Sequence, residues 1–331
     1  MRIAVVGSGA LGSYYGAMLA RSGEDVHFLL RSDYEAVKRN GLTIRSHRGD
    51  FHLRPNIYLT TADMGPSDLV LIALKSTANE VFSTLLPPLV HQHTMLLTLQ
   101  NGLGNEEMLA AIFPPAQILG GLCFVCLNRT APGVIHHMEH GLIKLGEFGR
   151  PAAPRTHNVA ARFRQAGVPC EVVDDLARAH WEKLVWNIPF NGLGVASAAG
   201  YDQVIRGAWH PADGLQPCFT TDRLLADPKW TALVEELMKE VITTARTLGM
   251  NLDYAVAEEQ ISRTRSMGAY RASTLIDFEQ GYPLELTSLF LEPLRQAKAA
   301  LVATPRLEAV CQVLQALDAA RNPRTAEPAA A

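Results

Sequence analysis

The chain has 331 residues, 48% of them hydrophobic and 19% charged, and a formal net charge of -3. This composition predicts two globular domains with sizeable cores and excludes a basic nucleic-acid-binding patch. The longest apolar run, Leu69–Leu74, is too short to cross a bilayer, so no membrane partner is expected. The N-terminus lacks the ordered regions of a secretory signal, and we therefore expect a cytoplasmic protein.

The first predicted element is a buried strand, residues 2–6, that runs into a glycine-rich turn and a helix. The turn has the G-x-G-x-x-G pattern of a dinucleotide site, Gly7-Ser8-Gly9-Ala10-Leu11-Gly12. Gly7 allows the tight turn, Gly9 lets the backbone approach a pyrophosphate, and Gly12 lets the helix pack against the strand. The helix N-terminus then offers N–H groups to phosphates, which predicts a nicotinamide or flavin cofactor.

The second predicted strand, residues 25–31, ends at Arg31, where an NAD-preferring site usually has an acid. A guanidinium matches a 2′-phosphate bidentately, so this position favours NADP over NAD. The alternative is a surface arginine that opens the next helix.

Two further predicted strands, residues 68–75 and 94–99, lead to Lys75 and to the turn Gln100-Asn101-Gly102-Leu103-Gly104. Ligands of a doubly wound sheet bind beyond the carboxyl ends of its strands. Lys75 is therefore expected at phosphate or ribose and Asn101 at the nicotinamide. A helix-start lysine and a turn asparagine are the alternatives.

Later strands are predicted near residues 118–125, 143–147 and 170–173, and the middle of this region carries two motifs that suggest metal binding or redox chemistry. Cys123 and Cys126 are three apart in an extended chain and point to opposite faces, so we interpret them as structural thiols. His136, His137 and His140 fit two short strands, 134–140 and 141–146, around a His-Gly turn. No metal site and no disulfide framework is predicted.

After residue 174 the strand signals give way to long helical patterns, including 229–248 and 301–317. We therefore expect an α/β fold, with an N-terminal Rossmann-type doubly wound sheet at 1–174 and an all-helical domain at 175–320. The Pro- and Ala-rich tail, 321–331, is expected to be disordered.

The first helix of the second domain, predicted over 175–198, carries Lys183, Asn187 and Asn191 at every fourth residue. This spacing puts the three polar side chains on one helix face with apolar neighbours, which suggests a pocket. A solvated polar face is the alternative. Pro189 is expected to bend the helix.

Together these motifs resemble the ketopantoate reductase (2-dehydropantoate 2-reductase) family over nearly the whole chain. The resemblance rests on the glycine turn, Arg31, Lys75, the 100–104 turn, the Pro132-Gly133…Gly146-Glu147 stretch and the Trp-x-Lys-Leu-x-x-Asn-x-x-x-Asn pattern at 181–191. The family reduces 2-dehydropantoate to (R)-pantoate with NADPH, a step toward pantothenate and coenzyme A.

The resemblance implies roles for individual residues. Lys183 is the implied proton donor, Asn187 and Asn191 bind substrate, and Asn101 lies between cofactor and substrate. Ser273, in a stretch similar to the family's Ser-Ser-Met-Leu-x-Asp segment, is the implied substrate-binding serine.

Glu285 matches the family's essential glutamate and is expected to pair with the proton-donating lysine, or to bond a substrate hydroxyl or the cofactor ribose. The chain departs from the family at Gly192, where a proline is common, at Tyr201 in place of an asparagine, and at Ala272 in place of a serine. A longer segment, 200–221, is expected either to cover the substrate site or to extend an interface.

The sequence thus predicts an NADPH-dependent reductase of a small 2-oxo acid, ketopantoate, and leaves a homodimer open. One alternative is a reductase of a different 2-oxo or 3-oxo acid with the same machinery. The other is a non-catalytic NADPH-binding sensor, against which the intact Lys183 argues.

Overall fold

The computed structural model describes residues 1–321, so the tail expected to be disordered lies outside the described residues from 322 on. The chain divides into two compact units, residues 1–179 and residues from 180 onward. Among the described helices, none combines the length and apolar character that crossing a membrane requires.

The described residues of the first unit form one ten-stranded sheet. Its strands are β1 (Arg2–Val6), β2 (Asp25–Leu29), β3 (Leu42–Ser46), β4 (Phe51–Leu53), β5 (Asn56–Tyr58), β6 (Leu69–Ile72), β7 (Met95–Thr98), β8 (Ile118–Ala131), β9 (Val134–Glu147) and β10 (Cys170–Val172). Their order is β4-β3-β9-β8-β7-β6-β1-β2-β5, and β10 pairs with β9. The run from β5 to β8 is parallel throughout, and β8 and β9 are antiparallel.

Helices cover both faces of this sheet, as the doubly wound prediction requires. They are α1 (Ala10–Arg21), α2 (Tyr34–Asn40), α3 (Thr61–Met64), α4 (Phe82–Leu85), α5 (Asn105–Ala110), α6 (Pro154–Gln165) and the start of α7 (Leu176–Ala196). Alternate residues of β1 point to opposite faces of the sheet and belong to two hydrophobic cores. Ile3 and Val5 pack in the core that includes α1 and α6, and Ala4 and Val6 pack in the core that includes α3, α4 and α5. The Rossmann-type prediction is confirmed.

The expected pair of short strands around a His-Gly turn is wrong, because β9 runs unbroken from Val134 to Glu147. His140 and Gly141 have positive φ angles of 67° and 126°. The pairing with β8 skips Gly141, so this pair forms a β-bulge and the chain reverses earlier, at Pro132-Gly133. A two-residue hairpin turn of type I′ and some β-bulges both use positive φ, which is why the same dipeptide suits either.

The end of β9 is joined to α6 through the fully buried carboxylate of Glu147. Its oxygens accept hydrogen bonds from Arg155 (2.5 and 2.9 Å), Arg150 (2.9 Å) and Thr156 (2.5 Å). Burial by itself raises the pKa of Glu147, but the hydrogen bonds from Arg155, Thr156 and Arg150 outweigh it and hold that pKa below its ordinary value. The family-like Gly-Glu pair at 146–147 therefore has a structural role.

In the second unit the described residues are helical, as predicted. After α7 come α8 (Tyr201–Arg206), α9 (Thr221–Ala226), α10 (Pro228–Thr247), α11 (Ala255–Arg265), α12 (Ser273–Glu279), a π-helical turn (Thr287–Leu291), α13 (Glu292–Ala299) and α14 (Pro305–Arg321). Helix α10 buries Leu233, Leu237 and Val241 at every fourth position, each contributing about 1.5–3 kcal/mol. Helix α14 begins at Pro305, later than the predicted 301, because proline suits the first helical position and Leu301 has a positive φ of 57°.

The 200–221 segment packs back onto the end of α7. The Gln216 N–H donates to the Ala198 carbonyl at 2.8 Å, and the Phe219 N–H donates to the Ser197 hydroxyl at 2.8 Å. Within its own unit, the segment is therefore tied at both a backbone and a side-chain position.

Candidate active site

The first unit gathers its predicted cofactor residues at one sheet edge. Strands β7, β6, β1 and β2 are parallel neighbours, so their carboxyl ends meet there. The segments that follow them carry, respectively, Asn101, Lys75, the glycine turn 7–12 and Arg31. We call this group the dinucleotide edge. Arg31 and Lys75 are exposed, and Asn101 is half-buried.

The glycine turn fits a pyrophosphate. Gly7 has a φ of 98°, and a Cβ there would lie 2.3 Å from the Leu74 nitrogen. A Cβ on Gly12 would lie 2.3 Å from the Gly7 carbonyl oxygen, whereas a Cβ on Gly9 would meet no atom within 4 Å. Gly9 is exposed at the N-terminus of α1, and no side chain caps that end. The protein therefore leaves no room for a side chain at Gly7 or Gly12, whereas Gly9 faces open space where a phosphate would approach.

Asp33 is an acid near Arg31 that the sequence analysis missed. It is 5% exposed, and its carboxylate accepts hydrogen bonds from Arg129 (2.6 Å), the Ser32 hydroxyl (3.0 Å) and the Gly133 N–H (3.0 Å). Three donors occupy this carboxylate, so Asp33 is poorly placed to accept from a ribose hydroxyl. It instead joins the segment after β2 to the β8–β9 hairpin. Its position two residues after Arg31, four beyond the end of β2, was the available signal.

In the second unit, α7 carries Lys183, Asn187 and Asn191 on one face, as predicted, and we call this the polar face of α7. Lys183 is half-buried, while Asn187 and Asn191 are 6% and 3% exposed. The Asn187 side chain forms no hydrogen bond with any residue in the described part of the chain. Neither polar atom of this amide is both enclosed and unpaired within the described residues, so the atoms reach the surface and can form hydrogen bonds with a ligand or with water.

Ser273 and Asn191 are brought into direct contact. Asn191 Oδ1 accepts from the Ser273 hydroxyl at 3.3 Å and from the Thr274 N–H at 3.1 Å. Ser273 is exposed in the first turn of α12.

Glu285 lies between α12 and the π-helical turn and is 4% exposed. The segment that carries it is anchored to α14, because the Leu284 N–H donates to the Asp318 carboxylate at 3.1 Å. Helix α14 thus holds the position of this candidate catalytic acid.

The three departures from the family pattern lie at packing positions. A Cβ on Gly192 would lie 3.0 Å from the Phe290 ring and 3.1 Å from Val310, so neighbouring side chains fill the space that a larger residue would need. Tyr201 packs edge-on against Trp230, with ring centroids 5.3 Å apart. Ala272 is buried at the N-terminus of α12.

Among residues 1–321 no group of histidine, cysteine and acidic side chains could hold a metal ion. Cys123 is buried and Cys126 is half-buried, and neither is in a disulfide within the described residues. His137 is fully buried, with its Nδ1 2.9 Å from the Ser46 hydroxyl and its Nε2 3.1 Å from the His140 carbonyl oxygen. Burial lowers the pKa of His137.

Comparisons with known proteins agree with this geometry. Residues 3–150 match the family model "Ketopantoate reductase PanE/ApbA", and residues 204–318 match its C-terminal counterpart. A 2-dehydropantoate 2-reductase of Nostoc sp. is 40% identical over 96% of this chain and 95% of its own length.

Solved structures are also similar. The crystal structure of 2-dehydropantoate 2-reductase from Geobacter metallireducens GS-15 has a TM-score of 0.86 and 45% identity, covering 95% of this chain and 99% of its own. D-mandelate dehydrogenase with NADH and anilino(oxo)acetate has a TM-score of 0.82 at 20% identity, covering 97% and 100%, and this likeness shows the fold alone.

The doubly wound sheet, its glycine turn and these matches define the class of the protein, an oxidoreductase of the NAD(P)-dependent kind. Within that class, the chain belongs to the ketopantoate reductase family.

Proposed function

We propose that this protein is a cytoplasmic enzyme that reduces 2-dehydropantoate to (R)-pantoate with NADPH, a step toward pantothenate and coenzyme A. The family membership and the names of the relatives support the reaction. The packing roles of Gly192, Tyr201 and Ala272 favour ketopantoate over a different 2-oxo acid, because none of these departures needs a changed pocket to explain it.

The observation that carries the proposal is the polar face of α7. A half-buried lysine is followed, one turn later, by an amide that is 6% exposed and hydrogen-bonded to no described residue. A helix that only needed to pack would have an apolar residue at that position. A lysine beside unused amide donors suits a substrate that carries a carboxylate and a ketone.

When bound, a nicotinamide cofactor would supply a hydride for the ketone carbon. The Lys183 ammonium stabilises the negative charge that grows on the carbonyl oxygen, and it then donates the proton that completes the alcohol. Asn187 and Asn191 donate hydrogen bonds to the substrate's polar groups, and Ser273 offers a hydroxyl beside Asn191. Glu285 either pairs with Lys183 or accepts from a substrate or ribose hydroxyl.

At the dinucleotide edge, residues 7–12 hold the pyrophosphate, Asn101 lies at the nicotinamide, and Arg31 and Lys75 supply positive charge. Arg31 favours NADPH because its guanidinium can bind a 2′-phosphate, while the nearby carboxylate of Asp33 is already occupied. Arg31→Asp should move the ratio of kcat/KM for NADPH and NADH toward NADH. Arg45→Ala, which removes another exposed arginine of the first unit, should leave that ratio unchanged; an unchanged ratio in both variants contradicts the assignment.

The first experiment is steady-state NADPH oxidation with ketopantoate and a panel of other 2-oxo acids. Lys183→Ala should lower kcat by roughly 10²–10⁴-fold, the usual contribution of a positioned acid. The matched control is Lys239→Ala, because Lys239 is an exposed lysine on α10 of the same unit.

The alternatives give different results. Lysine-dependent turnover of another acid but not of ketopantoate would keep the mechanism and overturn the substrate. NADPH binding with no turnover of any acid would favour a sensor and overturn the proposed enzyme.

A further inference from the structure

A continuous chain of side-chain hydrogen bonds runs through the first unit next to the dinucleotide edge. The Thr98 hydroxyl donates to Gln100 Oε1 (2.9 Å), and Gln100 Nε2 donates to Asn79 Oδ1 (2.7 Å). Asn79 Nδ2 donates to Asn105 Oδ1 (2.9 Å), and Asn105 Nδ2 donates to the Asn101 backbone carbonyl (3.1 Å). We call these four side chains the amide chain; it ends on a residue that the proposed function places at the cofactor.

The amide chain is buried along its whole length. Thr98, Gln100, Asn79 and Asn105 are 1%, 5%, 7% and 1% exposed. Every link has the same donor-to-acceptor direction, so each bond polarises the next. The Thr98 hydroxyl also accepts from the Gln100 N–H at 3.3 Å. Turning over the amide of Asn79 or of Asn105 would break the bonds on both of its sides, and turning over that of Gln100 would break its bond to Asn79.

The amide chain ties together two segments that lack long regular structure. Asn79 lies in a 3₁₀ turn, Ser76–Val81, that begins directly after Lys75. Asn101 and Asn105 flank the turn after β7, in which Gly102 and Gly104 have φ angles of 87° and 89°. Left-handed glycines give a turn many accessible conformations, so its shape must be fixed by contacts from outside.

We propose that Asn79, Gln100 and Asn105 are positioning residues that lock the Asn101 turn to the Lys75 turn in the geometry that binds the cofactor. The inference rests on the proposed function, which assigns Asn101 and Lys75 to the cofactor. A fully satisfied buried polar network contributes little net stability compared with apolar packing, but it specifies one conformation.

The test uses substitutions that keep size and remove one donor. Asn105→Asp keeps the acceptor for Asn79 and removes the donor to the Asn101 carbonyl. Gln100→Glu keeps the acceptor for Thr98 and removes the donor to Asn79. The matched control is Gln117→Glu, because Gln117 is 8% exposed and donates to the carbonyls of His91 (2.8 Å) and Thr94 (3.0 Å) before β7, away from the dinucleotide edge.

We expect all three variants to lose thermal stability, and only Asn105→Asp and Gln100→Glu to raise KM for NADPH, by about tenfold, the value of one lost hydrogen bond. The Gln100→Glu defect should shrink toward acid pH relative to wild type at the same pH, because a protonated carboxyl can donate again. If either Asn105→Asp or Gln100→Glu fails to fold, the other variant still tests the role of the amide chain.

Equal effects of Gln117→Glu and the two amide-chain variants on KM, at equal loss of melting temperature, overturn the positioning role and leave the proposed function intact. A wild-type protein that does not bind NADPH overturns both.

Discussion

Asn191 and Ser273 are joined through a single oxygen: Asn191 Oδ1 accepts from the Ser273 hydroxyl and also from the Thr274 N–H. The backbone N–H can only donate, so it fixes which end of the amide faces α12. The Asn191 NH₂ group consequently points away, and it donates to no residue in the described part of the chain. The Asn191 side chain therefore joins α7 to α12 through its oxygen, and its NH₂ group remains available to a ligand.

Because the oxygen and the NH₂ group of Asn191 have different roles, the effect of Asn191→Asp can be predicted. The carboxylate keeps the acceptor for α12, so the fold should survive, but the NH₂ donor is replaced by a negative charge. We expect KM for ketopantoate to rise by roughly 10–100-fold, the range for a hydrogen bond to a charged group, while KM for NADPH changes little. A KM for ketopantoate equal to that of wild type would show that this amide does not contact the substrate.

Asn187→Leu should separate stability from activity. The amide makes no hydrogen bond to a described residue and its polar atoms are not enclosed, so an apolar side chain of similar size should keep the free energy of unfolding within about 1 kcal/mol of the wild-type value. The same change should lower kcat/KM for ketopantoate at least tenfold, or about 1.4 kcal/mol. Denaturant unfolding and steady-state kinetics measure the two effects.

Asn191→Leu is the matched control for that experiment, since its oxygen accepts two hydrogen bonds. Asn191→Leu should lower the free energy of unfolding, whereas Asn187→Leu should leave it nearly unchanged. Destabilisation of both variants to the same extent would argue that Asn187 is an ordinary structural amide.

Gly9→Ala tests the pyrophosphate site without disturbing the fold. The φ of Gly9 is -73°, which alanine adopts freely, and the added Cβ would meet no protein atom within 4 Å. The melting temperature should stay level or rise, because alanine loses less backbone entropy on folding. NADPH affinity should fall by about tenfold or more as the methyl group enters the space of the phosphates. Gly23→Ala is not a suitable control, because Gly23 has a φ of 99°, which alanine rarely adopts. If Gly9→Ala binds NADPH with wild-type affinity, the cofactor does not bind at this turn.

His137 predicts a pH dependence of stability. Burial lowers its pKa most; the hydrogen bond to the His140 carbonyl opposes this, and nearby His47 and Arg48 add to it, so the pKa in the folded state lies below the ordinary 6.5. The unfolded chain then binds a proton that the folded chain does not, so stability is lost as the pH falls from 6.5 to the lowered pKa, by at most about 1.4 kcal/mol per pH unit.

His137→Gln should flatten this slope between about pH 7 and 5.5, since an amide does not titrate. His136→Gln should leave the slope unchanged, because His136 is the exposed neighbour on the same strand. Chemical denaturation across that pH range measures the slope for both variants. Parallel slopes for wild type and His137→Gln would show that His137 does not cause the pH dependence.

The sequence predicted what depends on short-range pattern. The strands follow from short apolar runs, the glycine turn from the G-x-G-x-x-G spacing, and the single face of Lys183, Asn187 and Asn191 from a four-residue repeat on a helix. The bulge at His140–Gly141 did not, because a bulge and a turn can both use positive φ and only the register with β8 distinguishes them here.

Site features that depend on tertiary contacts were also missed. Asp33 looks like a surface acid until Arg129, almost a hundred residues later, is seen to pair with it. Asn79 and Asn105 look like turn residues, and their spacing in the chain gives no sign that their side chains meet. Assigning the catalytic roles themselves required the family resemblance.

The one-way direction of the amide chain has a consequence for how this protein can evolve. A link that loses its donor leaves the next oxygen unfilled inside the protein, so a single substitution at 79, 100 or 105 is penalised even where its neighbours are unchanged. Drift at these positions should therefore be correlated, with descendants either retaining all three amides or replacing them as a set. Position 117, whose amide donates to backbone carbonyls, shares no side-chain partner with these three, so changes there should not be correlated with changes at 79, 100 or 105.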